Sequence, residues 1–138
     1  MEQKDYILRE IEKIGLVLSG IRQKIFGTKD NEGIHLNKEV EEAKLMLFKE
    51  LDIDLDTFLL MDFEETNTYL NNIHGFNVEN IDQLADCIYQ IHVYNKSDKS
   101  KQIIEKALQL YELSNLKSKT YSFEREKNML IIKNAIEQ

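Results

Sequence analysis

From Asp5 to Phe26 the apolar residues Ile7, Ile11, Ile14, Leu18, Ile21 and Ile25 recur in alternating steps of four and three. That spacing holds them on one side of an α-helix, so the segment reads as a long amphipathic helix with a single apolar seam. It is expected to start near Asp5, whose carboxylate can cap free amides, and to stop near Gly27. The seam needs a partner, either the rest of the chain or a second copy, so these six residues are the candidate self-association seam of a homodimer. Gly15 and Ser19 share a face beside it, and Gly20 follows. Each Gly costs a helix interior about 1 kcal/mol relative to Ala, which argues that another helix backbone approaches closely there.

Further along, helical periodicity returns after a polar, Gly-containing loop from Gly27 to Gly33. A second helix is expected from near Asn37, with Val40, Ala43, Lys44, Leu47, Phe48 and Leu51 inward and Glu39, Glu41 and Glu42 outward. Asp54 or Asp56 can cap a short helix through Phe58, Leu59 and Leu60, and Asp62 can cap another through Tyr69, Leu70 and Ile73. His74-Gly75-Phe76 ends that element and Asn77 caps the next, whose core stripe is Ile81, Leu84, Ala85, Ile88 and Ile91. Beside it runs a more polar stripe, Gln83, Cys87, Gln90 and Tyr94, the candidate lining of a groove that receives a peptide or helix. A turn at Asn95 to Ser100 leads to a helix presenting Ile103, Ile104, Ala107, Leu108 and Tyr111. A break at Ser114 to Thr120 precedes a last helix, capped by Ser122 and carrying Met129, Leu130, Ile132 and Ile136. The pattern predicts an all-α fold of about six helices in antiparallel hairpins, one domain over residues 1–138.

Composition agrees with long helices, because the 138 residues include no Pro and only 5 Gly. Charge narrows the partners. The net charge is −7, and between Glu50 and Asn95 there is no Lys or Arg, while Asp52, Asp54, Asp56, Asp62, Glu64, Glu65, Glu79, Asp82 and Asp86 fall in that interval. Nucleic-acid affinity rests largely on phosphate neutralisation by Lys and Arg, so no nucleic-acid partner is expected. The acidic stretch is either a solvated surface or a docking face for a basic protein. A membrane role is not expected either: the nearly uncharged run from Ile14 to Ile21 falls well short of the about 20 apolar residues that span a bilayer. Cys87 is the lone cysteine, so an intramolecular disulfide is impossible and a cytoplasmic location is expected.

Catalytic and metal signatures do not assemble. Asp52-Ile-Asp-Leu-Asp56 resembles the opening of a calcium loop, but Thr57 and Phe63 stand where Gly and Glu are required. Glu32-Gly-Ile-His35 has the spacing of a di-metal carboxylate motif, but it occurs once and in a stretch read as loop. Cys87 and His92 are five residues apart, too far round a helix to share a ligand. No Gly-rich phosphate loop or nucleophile motif is present. No metal or cofactor is therefore expected.

Leu84-Ala-Asp-Cys-Ile-Tyr89 and Lys106-Ala-Leu-Gln-Leu-Tyr111 are similar to the two halves of a tetratricopeptide repeat, in which small residues let paired helices cross closely. The whole chain also resembles an uncharacterised bacterial family of small helical proteins. The points of resemblance are Asp5-Tyr-Ile-Leu-Arg-Glu-Ile-Glu12, Gly75-Phe-Asn-Val-Glu-Asn80, the Ala-Leu-Gln-Leu-Tyr run and Tyr121-Ser-Phe-Glu-Arg125. The resemblance implies a tetratricopeptide-like, right-handed helical array over residues 77–138, preceded by the seam helix at 1–27, and it supplies no catalytic residue. The function expected from these readings is a non-enzymatic protein-interaction or assembly module taking a protein or peptide partner. Its rival is a small-molecule- or metal-dependent helical-bundle enzyme using dispersed carboxylates and His.

Overall fold

The structure, a computed structural model, describes residues 2–26, 33–94 and 99–137, and within them the side chains of 4–24, 38–94 and 99–137. The described residues form seven helices and no strand: α1 (Glu2–Phe26), α2 (Gly33–Leu51), α3 (Leu55–Leu59), α4 (Phe63–Asn71), α5 (Val78–Tyr94), α6 (Ser100–Lys117) and α7 (Phe123–Glu137). The expected loop from Gly27 and turn from Asn95 fall mainly on residues 27–32 and 95–98, outside those described.

The middle of the α1 seam faces the chain's own interior. Ile14, Leu18 and Ile21 are buried in one apolar cluster with Ile81, Leu84, Ile88 and Ile91 of α5. Two hydrogen bonds fix the register of this contact. Asn80 Nδ2 donates to the Ile11 carbonyl at 3.0 Å, and Cys87 Sγ donates to the Leu18 carbonyl at 3.5 Å. Both pairs are 69 residues apart, so α1 and α5 run parallel. Gly15 faces this contact: a Cβ there would lie 3.4 Å from Asn80 Oδ1 and 3.7 Å from Gln83 Nε2. Gly20 faces open space. The N-terminal end of the seam is different, with Ile11 half-buried and Ile7 45% exposed beside exposed Tyr6 and Leu8. The side chain of Ile25 lies outside the described residues.

A second restraint on α1 comes from the α4–α5 junction. Gly75 has φ +101°, and a Cβ at that position would sit 2.7 Å from the backbone carbon of Glu10. Only Gly meets both demands. Its carbonyl accepts the other Asn80 Nδ2 bond at 2.8 Å, while Asn77 Oδ1 caps α5 by accepting from Asn80 N at 3.0 Å.

Three boundaries differ from the expected ones, the first being that of α1, which begins at Glu2 rather than near Asp5. The α2 helix begins at Gly33 rather than Asn37, because no Pro blocks the extension and one Gly costs only about 1 kcal/mol. Its inward stripe is Val40, Ala43, Leu47 and Leu51, with Phe48 exposed at its edge. It ends at Asp52, whose φ of 59° turns the chain so that Asp52 N and Ile53 N donate to the carbonyls of Phe48 and Leu47. The α6 helix runs on to Lys117, past the expected break at Ser114, since Leu110, Leu113 and Ser114 are all buried. The two short helices expected after Asp54 and after Asp62 are both present as α3 and α4, which brings the described helices to seven against the expected about six. Asp62 starts α4 with a reciprocal cap: its carboxylate accepts from Glu65 N at 2.8 Å and Glu65 Oε1 accepts from Asp62 N at 3.1 Å.

Lys106 of α6 ties this short-helix segment to the core. It is 3% exposed, and its Nζ donates to the Met61 carbonyl (2.8 Å), Thr66 Oγ1 (2.8 Å) and Gln109 Oε1 (2.6 Å), 4.9 Å from the Phe58 ring centre. All three donors of the ammonium find oxygens, none of them ionised. Burial therefore dominates and pulls the amine down to about 8, with Asp62 and Glu65 opposing.

Two outcomes follow from this packing. Leu18→Asp, which places a carboxylate in the core, is expected to abolish cooperative unfolding, whereas Ile7→Asp should move stability by no more than about 0.5 kcal/mol; circular-dichroism melts of the two variants decide this. Lys106 makes a pH-dependent contribution. Between about 8 and the ordinary 10.5 the unfolded chain holds a proton that the folded chain does not, so stability from this group rises with pH across that window. The urea midpoint of the native chain should gain on that of Lys106→Met between pH 7.5 and pH 10. A constant difference would contradict the assignment.

Candidate functional site

A cleft of about 340 Å³ opens where α1, α5, α6 and α7 meet, lined by Arg22, Asp86, Tyr89, Gln90, Val93, Tyr94, Tyr111, Glu124 and Asn128. Three of its walls are parallel helices. The α7 helix follows α5 in the same direction, since Arg125 meets Asp82 and Asn128 meets Asp86 one turn further on. The α6 helix runs the other way and supplies Tyr111 at the base.

The α7 wall is held by a buried cation. Arg125 Nε lies 3.0 and 3.2 Å from the two Asp82 oxygens, its NH2 donates to Asp82 Oδ2 at 2.9 Å, and its NH1 donates to Asn115 Oδ1 at 3.0 Å. Such forked pairing fixes orientation as well as distance. Ser122 Oγ caps the same helix by accepting from Arg125 N at 3.2 Å.

At the centre of the cleft, the Tyr111 hydroxyl donates to Asp86 Oδ1. Asn128 Nδ2 sits 3.3 Å from the Tyr111 oxygen and 3.5 Å from Asp86 Oδ1, and Arg22 NH1 is 3.7 Å from Asp86 Oδ2. Burial raises the Asp86 carboxyl above its ordinary range; the Tyr111 bond and Arg22 oppose this, while Asp82 and Glu124 add to it. The Tyr111 phenol is raised as well, first by burial and then by the Asp86 charge, so it holds its proton throughout the physiological range. These groups satisfy one another and act as a fixed polar floor.

Two other atoms of the lining are not satisfied. Gln90 is 8% exposed and its Oε1 is buried without a hydrogen-bond partner, and Arg22 Nε is likewise buried and unpartnered. An unmade bond at a buried polar atom costs about 1–3 kcal/mol. The residues that carry this acceptor and this donor both line the cleft, with Tyr89, Val93 and Tyr94 as its less polar side.

The expected groove stripe is divided by the structure. Gln90 and Tyr94 line the cleft. Cys87 is fully buried beneath α1, its thiol pushed up to about 12 by burial, and Gln83 lies against Asn80 and Gly15, so neither reaches the cleft. The residues that the sequence did not single out as a site are Arg22, Asp86, Tyr89, Val93, Tyr111, Glu124 and Asn128. The α5 residues that line the cleft are Asp86, Tyr89, Gln90, Val93 and Tyr94, while Asp82, one turn before Asp86, faces α7. A polar pair at i, i+4 followed by aromatic and amide residues was the available signal. The remaining histidines lie elsewhere: His92 Nδ1 is 2.8 Å from Ser100 Oγ, and His74 packs edge-on to Tyr6. Among the described residues no three His, Cys, Asp or Glu side chains group as a metal site, and no helix is long and apolar enough to cross a membrane. The spacing of Glu32 and His35 lies outside the described side chains.

No protein-family model, curated protein or solved structure matches the chain.

The raised Asp86 carboxyl sets a pH signature for the cleft. Its folded state binds the proton more tightly than the unfolded chain, so the stability it contributes is fully present below the ordinary carboxyl value of 3.8 and is lost as pH rises through the raised folded value. Asp86→Asn keeps an acceptor for Tyr111 without a charge. Its urea midpoint at pH 7 should equal or exceed that of the native chain, and the gap should narrow as pH falls toward 4. A variant much less stable at pH 7 would mean that the Arg22 ion pair outweighs the cost of burying the charge.

Proposed function

We propose that the chain is a non-enzymatic protein-interaction module that receives a segment of a partner protein in the cleft between α1, α5 and α7. The observation that carries this reading is the pair of buried, unpartnered groups in its lining, Gln90 Oε1 and Arg22 Nε. A main-chain amide supplies what both lack, an N–H for the glutamine oxygen and a carbonyl for the arginine. Three parallel helices with a fourth closing the base also make the kind of inner surface on which helical arrays hold extended peptides. The likeness of the α5–α6 hairpin to a tetratricopeptide repeat supports the same reading. So does the chemistry of the floor, where Tyr111 keeps its proton and Asp86 is engaged by Tyr111, Asn128 and Arg22. A lone, buried Cys87 supports a reducing, cytoplasmic setting. Among the described side chains of the seam, a homodimer would draw on the first turns of α1, where Ile7 is exposed beside Tyr6 and Leu8.

The alternative, a small-molecule-dependent enzyme, draws on the cleft's volume, which falls within the range of small-ligand pockets of about 300–1,000 Å³. Its carboxylates would be Asp86 and Glu124, and no His lines the cleft to accompany them.

A random peptide library displayed on phage and panned on the immobilised full chain tests the proposal. It should yield binders that bind Gln90→Leu or Arg22→Ala at least about tenfold more weakly, the effect of losing roughly 1.4 kcal/mol of hydrogen bonding. Binders indifferent to both substitutions, or no binders at all, would sink it.

A further inference from the structure

We infer that the segment received in this cleft carries a cationic side chain, Lys or Arg, next to the main-chain amide that meets Gln90 and Arg22. The inference rests on the peptide-binding reading above and adds the chemistry of its ligand.

Charge around the cleft is unbalanced in one place. Arg125 is committed to Asp82 by three bonds, and Arg22 NH1 is turned to Asp86. Glu124, on the first turn of α7, lines the cleft, is exposed, and has no ion-pair or hydrogen-bond partner among the described residues. Its charge is felt inside, since it helps to raise the Asp86 carboxyl. A bound cation is the species that relieves both. The rings of Tyr89 and Tyr94 line the same space, and a cation over an aromatic face is attracted by its negative quadrupole. Beyond the cleft, the chain's net charge of −7 attracts a basic segment at long range. An acidic side chain, by contrast, would meet Glu124 directly. Arg22 does not reverse the preference, because its unpartnered Nε is a buried donor that a neutral carbonyl satisfies.

The test uses fluorescein-labelled, C-terminally amidated hexapeptide pools in which one position is fixed as Arg, Lys, norleucine or Glu, titrated by fluorescence polarisation against the full chain. Arg and Lys pools should bind about tenfold tighter than the norleucine pool, the sum expected of an exposed ion pair and a cation–π contact, and the Glu pool should bind weakest. Glu124→Gln, an exposed substitution that leaves the core untouched, should cut that preference to about threefold or less. Raising salt from 50 to 300 mM should weaken the Arg and Lys pools and leave norleucine nearly unchanged. If norleucine binds as tightly as Arg and the binding still needs Gln90, the peptide reading stands and this inference is overturned. If no pool binds, both fall. If free spermidine binds to the cleft while no peptide does, the cation preference belongs to a small molecule and both are overturned.

Discussion

The parallel contact of α1 with α5 is the constraint on which the other helices depend. Its apolar side packs Ile14, Leu18 and Ile21 against the α5 stripe, each fully buried Leu or Ile being worth about 1.5–3 kcal/mol. Apolar contact alone does not fix register, since a helix can slide by a turn and keep its seam covered. Asn80 removes that freedom. Its single amide group donates to Ile11 of α1 and to Gly75 at the head of α5, so translation of either helix would break a buried bond. The left-handed Gly75, pressed against Glu10, acts as a mechanical stop at the same point. With that end fixed, Arg22 arrives beside Asp86, and the cleft acquires its first wall.

The other walls are placed by polar pairing on the opposite side of α5. Asp82 and Asp86 lie one turn apart and engage Arg125 and Asn128 of α7 in turn, which makes α7 the third parallel helix. One helix, α5, thus presents an apolar face to α1 and α6 and an acidic edge to α7. The cleft is the space left between these two kinds of packing. Its walls are held by contacts within the chain, so the proposed binding would not have to order helices, which would remove one of the main entropic costs of association.

Periodicity made the fold legible where it recorded burial. Val40, Ala43, Leu47 and Leu51, the Ile81 to Ile91 stripe, and the caps at Asp62, Asn77 and Ser122 all stand as read, because each is a local consequence of helical geometry. Boundaries were less legible. Ser114 looked like a terminator by composition, yet it is fully buried within α6, where packing of Leu110 and Leu113 overrides a weak local preference. Seam residues divided for a similar reason: Ile7 and Ile14 are equivalent in the sequence pattern, and only the length of α5 and its neighbours decides which of them is covered. Lys106 was the least foreseeable. Nothing in Lys-Ala-Leu-Gln-Leu-Tyr marks its ammonium as the anchor of Met61 and Thr66, some 40 residues earlier, because that role is created by the tertiary fold.

The site was half legible for a geometric reason. On a helix one residue is a rotation of about 100°, so a stripe begun at Gln83 and one begun at Asp82 look alike in sequence but face different neighbours. Gln90 and Tyr94 were found because the boundary of the cleft crosses the chosen stripe at its C-terminal end; Gln83 and Cys87 were carried beneath α1. What distinguishes the two faces is the disposition of unsatisfied groups, which only tertiary contacts reveal. Asp86, Tyr111 and Asn128 neutralise one another, whereas Gln90 Oε1 and Arg22 Nε are held in the same lining with nothing to bond. A fold that satisfies a buried carboxylate this fully could satisfy a neutral amide at lower cost. That it leaves the amide and one guanidinium N–H unmade concentrates the uncompensated desolvation in the lining of the cleft, where the proposed peptide would bring both a donor and an acceptor to recover it.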